Sequence, residues 1–405
     1  MFDCKKKVVC LQLGSRAHYL IPKSLHEKGL LSLMITDVWV ENKLVRLLLA
    51  KIPIRLFKAL SARYCYEVPN DKVFSLGLPF LGREFLLRFQ KKGWEATIFR
   101  NKLFQKRSIT ALPNVGDNIV VFGTSYSSLE VFREAKNRNF KTVLFQIDGG
   151  EYDEELINGI TKEFGNGASF SLSPKQYWND WKKECKISDL IMVNSEWSRE
   201  CLIRKGVDEK KIRIIPLPIE LTSKHFQFQR QYPDKFTADR PLRCLFLGSI
   251  SLRKGIYILL EAAAKLAGRP IEFILVGKSN VYDGALDIPS VRYKGSVTRE
   301  ETELYYKMSD VFLFPTFSDG FGHTQLEAMS WQLPVIASER CGKVVKNGIN
   351  GWITELESDS LSRLLIQIQE SPLLLQICSA NCLETARQFD LSVFGDKLAQ
   401  AIDSV

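Results

Sequence analysis

Val311-Phe312-Leu313-Phe314-Pro315-Thr316-Phe317-Ser318-Asp319-Gly320-Phe321-Gly322-His323-Thr324-Gln325-Leu326-Glu327-Ala328-Met329-Ser330-Trp331-Gln332-Leu333-Pro334-Val335-Ile336-Ala337 decides the fold of this chain. An apolar run stops at Pro315. A polar loop with two glycines follows, then a helical stretch from about Thr324 to Trp331, then a second apolar run from Leu333 to Ala337. Strand, glycine loop, helix and strand in this order form a unit that holds phosphate at a helix N-terminus. Asp319 and Glu327 bracket the loop. Carboxylates repel phosphate, so their natural partners are sugar and ribose hydroxyls.

The segment resembles the E-x7-E region of the retaining glycosyltransferases of family 4, which have the GT-B fold. Gly320, Phe321, Gly322, Leu326, Glu327, Ala328, Met329 and Pro334 match it, with Asp319 where the family usually has Glu. Three further patches resemble the same family. Tyr177–Glu220 carries Ser195, Gly206, Val207, Lys211, Ile212 and Pro216, and ends in Pro218-Ile219-Glu220 where the family has Gly-Val-Asp. Val291–Pro315 and Asn347–Gly351 follow its later strings. The match covers about 177–352, and residues 1–176 fit in fold only.

Alternation of strands and helices recurs along the whole chain. Strands are expected at Lys7–Leu13, Leu33–Thr36, Asn118–Phe122, Lys141–Ile147, Leu190–Val193 and Arg213–Pro216, and again at Arg243–Leu247, Glu272–Val276, Val291–Lys294, Val311–Phe314 and Leu333–Ala337. Helices are expected between them, including one from Ala17 to Lys28 and one or two across 151–186. The proline-rich stretch Leu217–Pro241 reads as a linker. The expected class is α/β: a GT-B fold of two doubly wound Rossmann-like domains facing across a cleft. Residues 1–218 would form an acceptor-side domain with a basic insertion at 40–110. Residues 219–390 would form the nucleotide-sugar domain, and a helix at 391–405 would cross back.

The 405 residues suffice for two ordinary domains, and 25% charged with 45% hydrophobic residues suits a globular chain. No apolar run approaches the roughly 20 residues of a membrane span. Val8–Leu13 is too short for a signal peptide's apolar region, so a cytoplasmic chain is expected. The nine scattered cysteines form no CxxC pair, which argues against zinc and disulfides.

The net charge of +10 is concentrated: Lys43 to Arg107 holds 15 Lys and Arg against 4 Asp and Glu. Leu44–Leu60 sets Arg46, Lys51, Arg55 and Lys58 among Leu, Ile and Phe, and Phe85–Phe104 sets Arg88, Lys91, Lys92, Arg100 and Lys102 beside Trp94 and Phe99. Such a mixture suits an anionic membrane surface, on the inner face of the cell membrane. Two helices that pack inward and show Lys to water come second. Nucleic acid comes last and is not an expected partner.

The resemblance also implies roles. In the donor site, Glu327 would hold ribose and Asp319 the donor sugar. Lys254 and Arg253 would meet the diphosphate beside Gly248, with Ser249 where the family has Arg. Gly320, Phe321, Gly322, His323 and Thr324 would line it through backbone groups, and Val297 would abut the base. In the first domain the strand-end loops bring Gly14, His18 and Asp148 to the cleft, with Asp148 able to accept an acceptor hydroxyl. No Asp-x-Asp motif occurs, so neither metal nor cofactor is demanded. The implied reaction moves a sugar from a nucleotide-sugar to a glycan or lipid-linked acceptor in surface polysaccharide synthesis, with configuration retained by front-face attack. An inactive two-domain nucleotide-sugar-binding or scaffold protein is the alternative. A nicotinamide oxidoreductase is disfavoured, since the first strand lacks G-x-G-x-x-G.

Overall fold

The computed structural model describes residues 6–52, 55–77, 79–83, 93–164, 171–281 and 283–405. The first sheet contains β1 (Lys7–Gln12), β2 (Leu31–Thr36), β3 (Val73–Ser75), β4 (Ile119–Thr124), β5 (Lys141–Gln146), β6 (Leu190–Val193) and β7 (Ile212–Ile214). All are parallel, in the order β3-β2-β1-β4-β5-β6-β7. The second contains β8 (Leu242–Leu247), β9 (Ile271–Val276), β10 (Val291–Tyr293), β11 (Val311–Phe314), β12 (Val335–Ala337) and β13 (Gly351–Ile353). It is also parallel, in the order β10-β9-β8-β11-β12-β13.

Helices cover both faces of each sheet, which is why the strands read as nearly unbroken apolar runs. Val9 and Leu11 of β1 point into one core, Val8 and Cys10 into the other. In β8, Cys244 and Phe246 face one core and Leu245 the opposite one. The strand order reverses between β1 and β4 and between β8 and β11. Ligands of open parallel sheets lie outside the carboxyl ends of the strands at such points. The loops after these four strands, which hold Gly14, Tyr126, Gly248 and Asp319, therefore define the functional face. The eight described cysteines are free and buried, acting as small core residues.

Two connections differ from the sequence reading. The helix expected from Ala17 to Lys28 begins only at Leu20 and runs to Glu27. Before it, Ala17, His18 and Tyr19 take left-handed φ values of 45°, 48° and 63°. Such a run is costly for non-glycine residues, and functional sites are where such strain collects. Stretch 217–241, expected as the linker, is packed down along much of its length. Phe236 is buried in the second core. The Arg230 guanidinium donates to the carbonyls of Tyr306, Lys307, Ser309 and Trp331. Those carbonyls lie where the helices Arg299–Met308 and Thr324–Ser330 end, and helix ends leave such acceptors unpaired.

The helix Leu391–Asp403 lies on the first domain: Phe394, Leu398 and Ile402 join the core of Val8, Tyr19 and Leu25. Lys28 pairs with Asp396 at 2.5 Å. Just before this crossing, the Ile219 amide donates to the Phe389 carbonyl at 2.8 Å, tying the two crossing segments together.

The basic insertion is the larger surprise. Its helix Lys43–Lys51 is capped by Asn42, whose side chain accepts from the Leu44 and Val45 amides. Arg46 does not face solvent. It stacks 3.9 Å from the Tyr64 ring centre and donates to the Val40 and Glu41 carbonyls and to the Tyr66 hydroxyl. Leu44, Leu47 and Leu48 point outward instead, 70%, 52% and 64% exposed, with Val45 beside them. Arg46 is thus a structural residue, and the helix is turned inside out. Arg88, Lys91 and Lys92 lie outside the described residues.

Candidate functional site

The loop after β8 brings Gly248, Ser249 and the turn Leu252–Lys254 to the cleft. Gly255 follows with φ of 76°, and a Cβ there would lie 1.8 Å from the Pro315 carbonyl oxygen. Only glycine lets this turn pass so close to the end of β11. The approach seats the Lys254 ammonium against the Asp319 carboxylate. Burial first, then the neighbouring Arg253 guanidinium, push Lys254 below the ordinary lysine range to about 7; Cys341 and Asp153 act the other way. Arg253 reaches Asp153 of the first domain at 3.4 Å, and Ser249 accepts from Asn280 at 3.0 Å.

The Asp319 loop is fastened to the first domain. Ser195 caps the helix Glu196–Arg204 by accepting from the Ser198 amide, and its hydroxyl donates to the Gly320 carbonyl. The Ser198 hydroxyl donates to the same carbonyl at 3.1 Å, and the Trp197 indole donates to Ser318 at 2.8 Å. A Cβ on Gly320 would lie 2.2 Å from the Ile147 carbonyl oxygen, next to Asp148. The Phe321 amide turns back to Asp319 at 3.3 Å, and its ring is buried. Gly322, His323 and Thr324 lead into the helix Thr324–Ser330, ahead of its first intrahelical bonds.

Glu327, one turn into that helix, is held from two sides. One oxygen accepts from the Tyr306 hydroxyl at 2.7 Å; the other lies 3.3 Å from His323 Nδ1. His323 Nε2 lies 2.7 Å from the Pro218 carbonyl oxygen. Acceptors at both ring nitrogens suit the charged imidazolium. Burial opposes that charge, but the bond to Glu327 and its field outweigh burial, and the pKa of His323 is raised. Burial likewise opposes the Glu327 charge, but His323 and Tyr306 hold its pKa below the ordinary value. The pair faces a pocket of about 710 Å³, also walled by His18, Glu220, Val297 and Arg299. His18 presents its ring to this gap. The walls displace enough water to lower its pKa, and Arg299 acts in the same direction.

A second pocket, of about 520 Å³, joins the domains. Tyr126, Asp148, Tyr177 and Trp178 wall it from the first domain, Ser249 and Arg253 from the second. One oxygen of Asp148 accepts from the Tyr126 hydroxyl, from Gln146 at 2.8 Å and from the Gly150 amide at 3.0 Å. Its other oxygen has no donor among the described residues. Burial raises the Asp148 pKa.

The structure thus brings Asp319 to Lys254, Glu327 to His323, and His18 to the Val297 side of the cleft. Gly14 lies apart: its amide donates to Asp37 at 3.1 Å, and Arg63 occupies the space its Cβ would need. Among the described residues no cluster of three or more His, Cys, Asp and Glu could hold a metal. Tyr306, Tyr126 and Arg299 were not legible in the sequence, because nothing local distinguishes Tyr306 from its neighbour Tyr305. The one usable signal for Tyr306 was helical spacing from the capping box at Thr298 and Glu301.

Residues 241–370, which lie in the second domain, match the family model for glycosyl transferases group 1. A protein from the cps region of Klebsiella pneumoniae is 24% identical over 217 residues, 50% of this chain and 58% of its own length. The O-antigen chain mannosyltransferase B of Escherichia coli is 29% identical over 160 residues, 36% of this chain and 41% of its own. In both, the chain spans less than two thirds of the relative. The solved structure of Anabaena HepE with UDP and glucose superposes with a TM-score of 0.62 at 14% identity, over 99% of this chain and 100% of that one. The lipopolysaccharide outer core galactosyltransferase WaaB gives 0.61 at 15%, over 98% and 99%. The two-domain architecture is the GT-B fold.

Proposed function

We propose that this chain is a retaining, family 4-type glycosyltransferase. It moves a sugar, of hexosyl or related type, from a nucleotide-sugar to a glycan or lipid-linked acceptor in surface polysaccharide synthesis. The observation that carries the reading is the division of labour between two carboxylates on one loop and helix. Glu327 faces the 710 Å³ pocket, where its remaining lone pairs suit ribose hydroxyls. Asp319 sits on Lys254, near the Asp148 pocket, where a donor sugar would separate the two side chains.

In this reading the base lies toward Val297 and the diphosphate toward Lys254 and the amides of Gly322–Thr324. These groups favour the charge that grows on the leaving phosphate. An acceptor hydroxyl other than the attacking one donates to the open oxygen of Asp148, which leaves the attacking hydroxyl free to face the departing phosphate. The bond from the anomeric carbon to the phosphate oxygen breaks as the bond to the acceptor oxygen forms on the same face, and the hydroxyl proton passes to the departing phosphate. Neither metal nor cofactor has a part in these steps.

A thermal-shift screen of nucleoside diphosphates and sugar nucleotides tests the reading. A ligand at 100 times its Kd stabilises by about 2.7 kcal/mol, so a shift of several degrees is expected for one base. No shift with any nucleotide at millimolar concentration would refute it.

The O-antigen chain and the lipopolysaccharide outer core named for two of these proteins suit a place on the membrane, and the inside-out helix suits one too. Among the described residues no helix is long and apolar enough to span a bilayer. The exposed face of Leu44, Val45, Leu47 and Leu48, flanked by exposed Lys43 and Lys51, would lie in the headgroup layer. Each buried leucine contributes about 1.5–3 kcal/mol and each lysine about 1 kcal/mol. The protein should therefore float with anionic vesicles and keep part of that binding at high salt. Changing Leu44, Leu47 and Leu48 to Ser should abolish flotation and spare nucleotide binding. A wild-type protein that stays at the bottom of the gradient at low salt would sink this part.

A further inference from the structure

On the first domain's side of the cleft, two arginines meet one carboxylate and a third stands nearby. Asp37 follows β2 directly and its side chain is 1% exposed. Arg63 approaches it at 3.5 Å and Arg100 at 3.1 Å. The Gly14 amide donates to the same group. Two residues on stands Arg16, whose Nη1 is buried and meets no acceptor among the described residues; Arg63 Nε is in the same position. A guanidinium does not lose its charge in a protein, so burial without an acceptor is a standing penalty that an anion relieves.

The placement gives the cluster a use. Gly14–Arg16 follow β1 and Asp37 follows β2, so the group sits at the carboxyl ends of the strands, where ligands bind. Arg100 lies on the helix Gly93–Ser108, whose Trp94 walls the Asp148 pocket, and its side chain is 32% exposed. Burial, then Arg100, lower the Arg16 pKa, while Tyr177, Asp148 and Tyr126 act oppositely. Arg16 is thus within electrostatic reach of both Arg100 and the pocket residues Tyr126, Asp148 and Tyr177. Lys254, assigned above to the donor diphosphate, belongs to the other domain.

We propose that Arg16, Arg63 and Arg100 form an anion site beside the Asp148 pocket that binds a phosphate-class group of the acceptor. The word acceptor rests on the glycosyltransferase reading; the anion site does not. Arginine forks fit phosphate oxygens in pairs, and an anchored phosphate would hold the acceptor hydroxyl toward Asp148.

The test is calorimetric titration with inorganic pyrophosphate. Lys254→Gln, which removes the ammonium assigned to the donor diphosphate, should keep a pyrophosphate site, and adding Arg16→Gln and Arg63→Gln should weaken that site at least about tenfold. Asp37→Asn removes the competing carboxylate and should tighten binding, a gain that damaged folding does not imitate. Unchanged affinity in the arginine variant, or weaker binding in Asp37→Asn than in the wild type at equal melting temperature, overturns the site. Competition by a soluble hexose phosphate identifies a soluble acceptor; competition by detergent-dispersed polyprenyl diphosphate alone identifies a lipid one. Failure of both overturns the acceptor assignment. A protein that binds pyrophosphate through these arginines but no nucleoside diphosphate keeps the site and refutes the glycosyltransferase reading.

Discussion

Glu327→Ala is expected to weaken nucleoside diphosphate binding at least about 100-fold. Two ribose hydroxyls donating to a charged acceptor contribute roughly 1.5–3 kcal/mol each, and about 1.4 kcal/mol is a factor of ten. The structure adds a complication to the alanine variant. It also strips a partner from the buried Tyr306 hydroxyl and from His323, so part of any loss is disorder in the pocket wall. Glu327→Gln separates the effects. Its amide oxygen still accepts from Tyr306, and its NH2 can donate to His323 Nδ1 once that imidazole is neutral, so the pocket wall stays filled while the charge is lost. A Gln variant about tenfold weaker, with the Ala variant weaker still, fits ribose binding. Wild-type affinity in both, measured by calorimetry, would mean that Glu327 serves only to hold His323 in place.

Lys254→Gln is expected to lower turnover roughly 100- to 1,000-fold, the usual cost of removing one group aimed at growing charge. Alanine is the poorer choice here. It would leave Asp319 buried and unpaired, a loss of about 3–5 kcal/mol in stability by itself. Glutamine still donates to Asp319, so the loop after β11 keeps its seat while the ammonium is gone. Turnover should be compared below the melting temperature of both proteins. Equal rates would reduce Lys254 to a structural partner of Asp319.

What the sequence revealed and what it hid follow from the range of the contacts. Leu190–Val193 and Val311–Phe314 are apolar on both faces, so their strands could be read without knowing a neighbour. Gly320, Gly322 and Glu327 lie within one loop and one helical turn, and their order alone suggested the site. Arg46 gave the opposite impression. A basic residue among leucines reads as the wet side of a helix, yet Tyr64 and Tyr66, far along the chain, make an inward berth for it. The three residues of β3 were missed because an edge strand this short pairs only with β2 and carries no period to detect. The left-handed run at Ala17–Tyr19 was hidden too, since none of these residues prefers that conformation. Arg16, Arg63, Arg100 and Asp37 are spread over four segments, and only the folded sheet gathers them.

The chain passes between the domains near Ile219 and returns near Asp390, and the two passages are hydrogen-bonded side by side. One strand of polypeptide would act as a swivel. Two strands laid together act as a door hinge: they bend about one line and resist twisting about any other. Any opening would then swing the wall that carries Lys254, Asp319 and Glu327 along a fixed arc, and closing would return Gly320 to its seat against Ile147 and Asp148. The latch at that end of the arc is the Gly320 carbonyl, caught between the hydroxyls of Ser195 and Ser198.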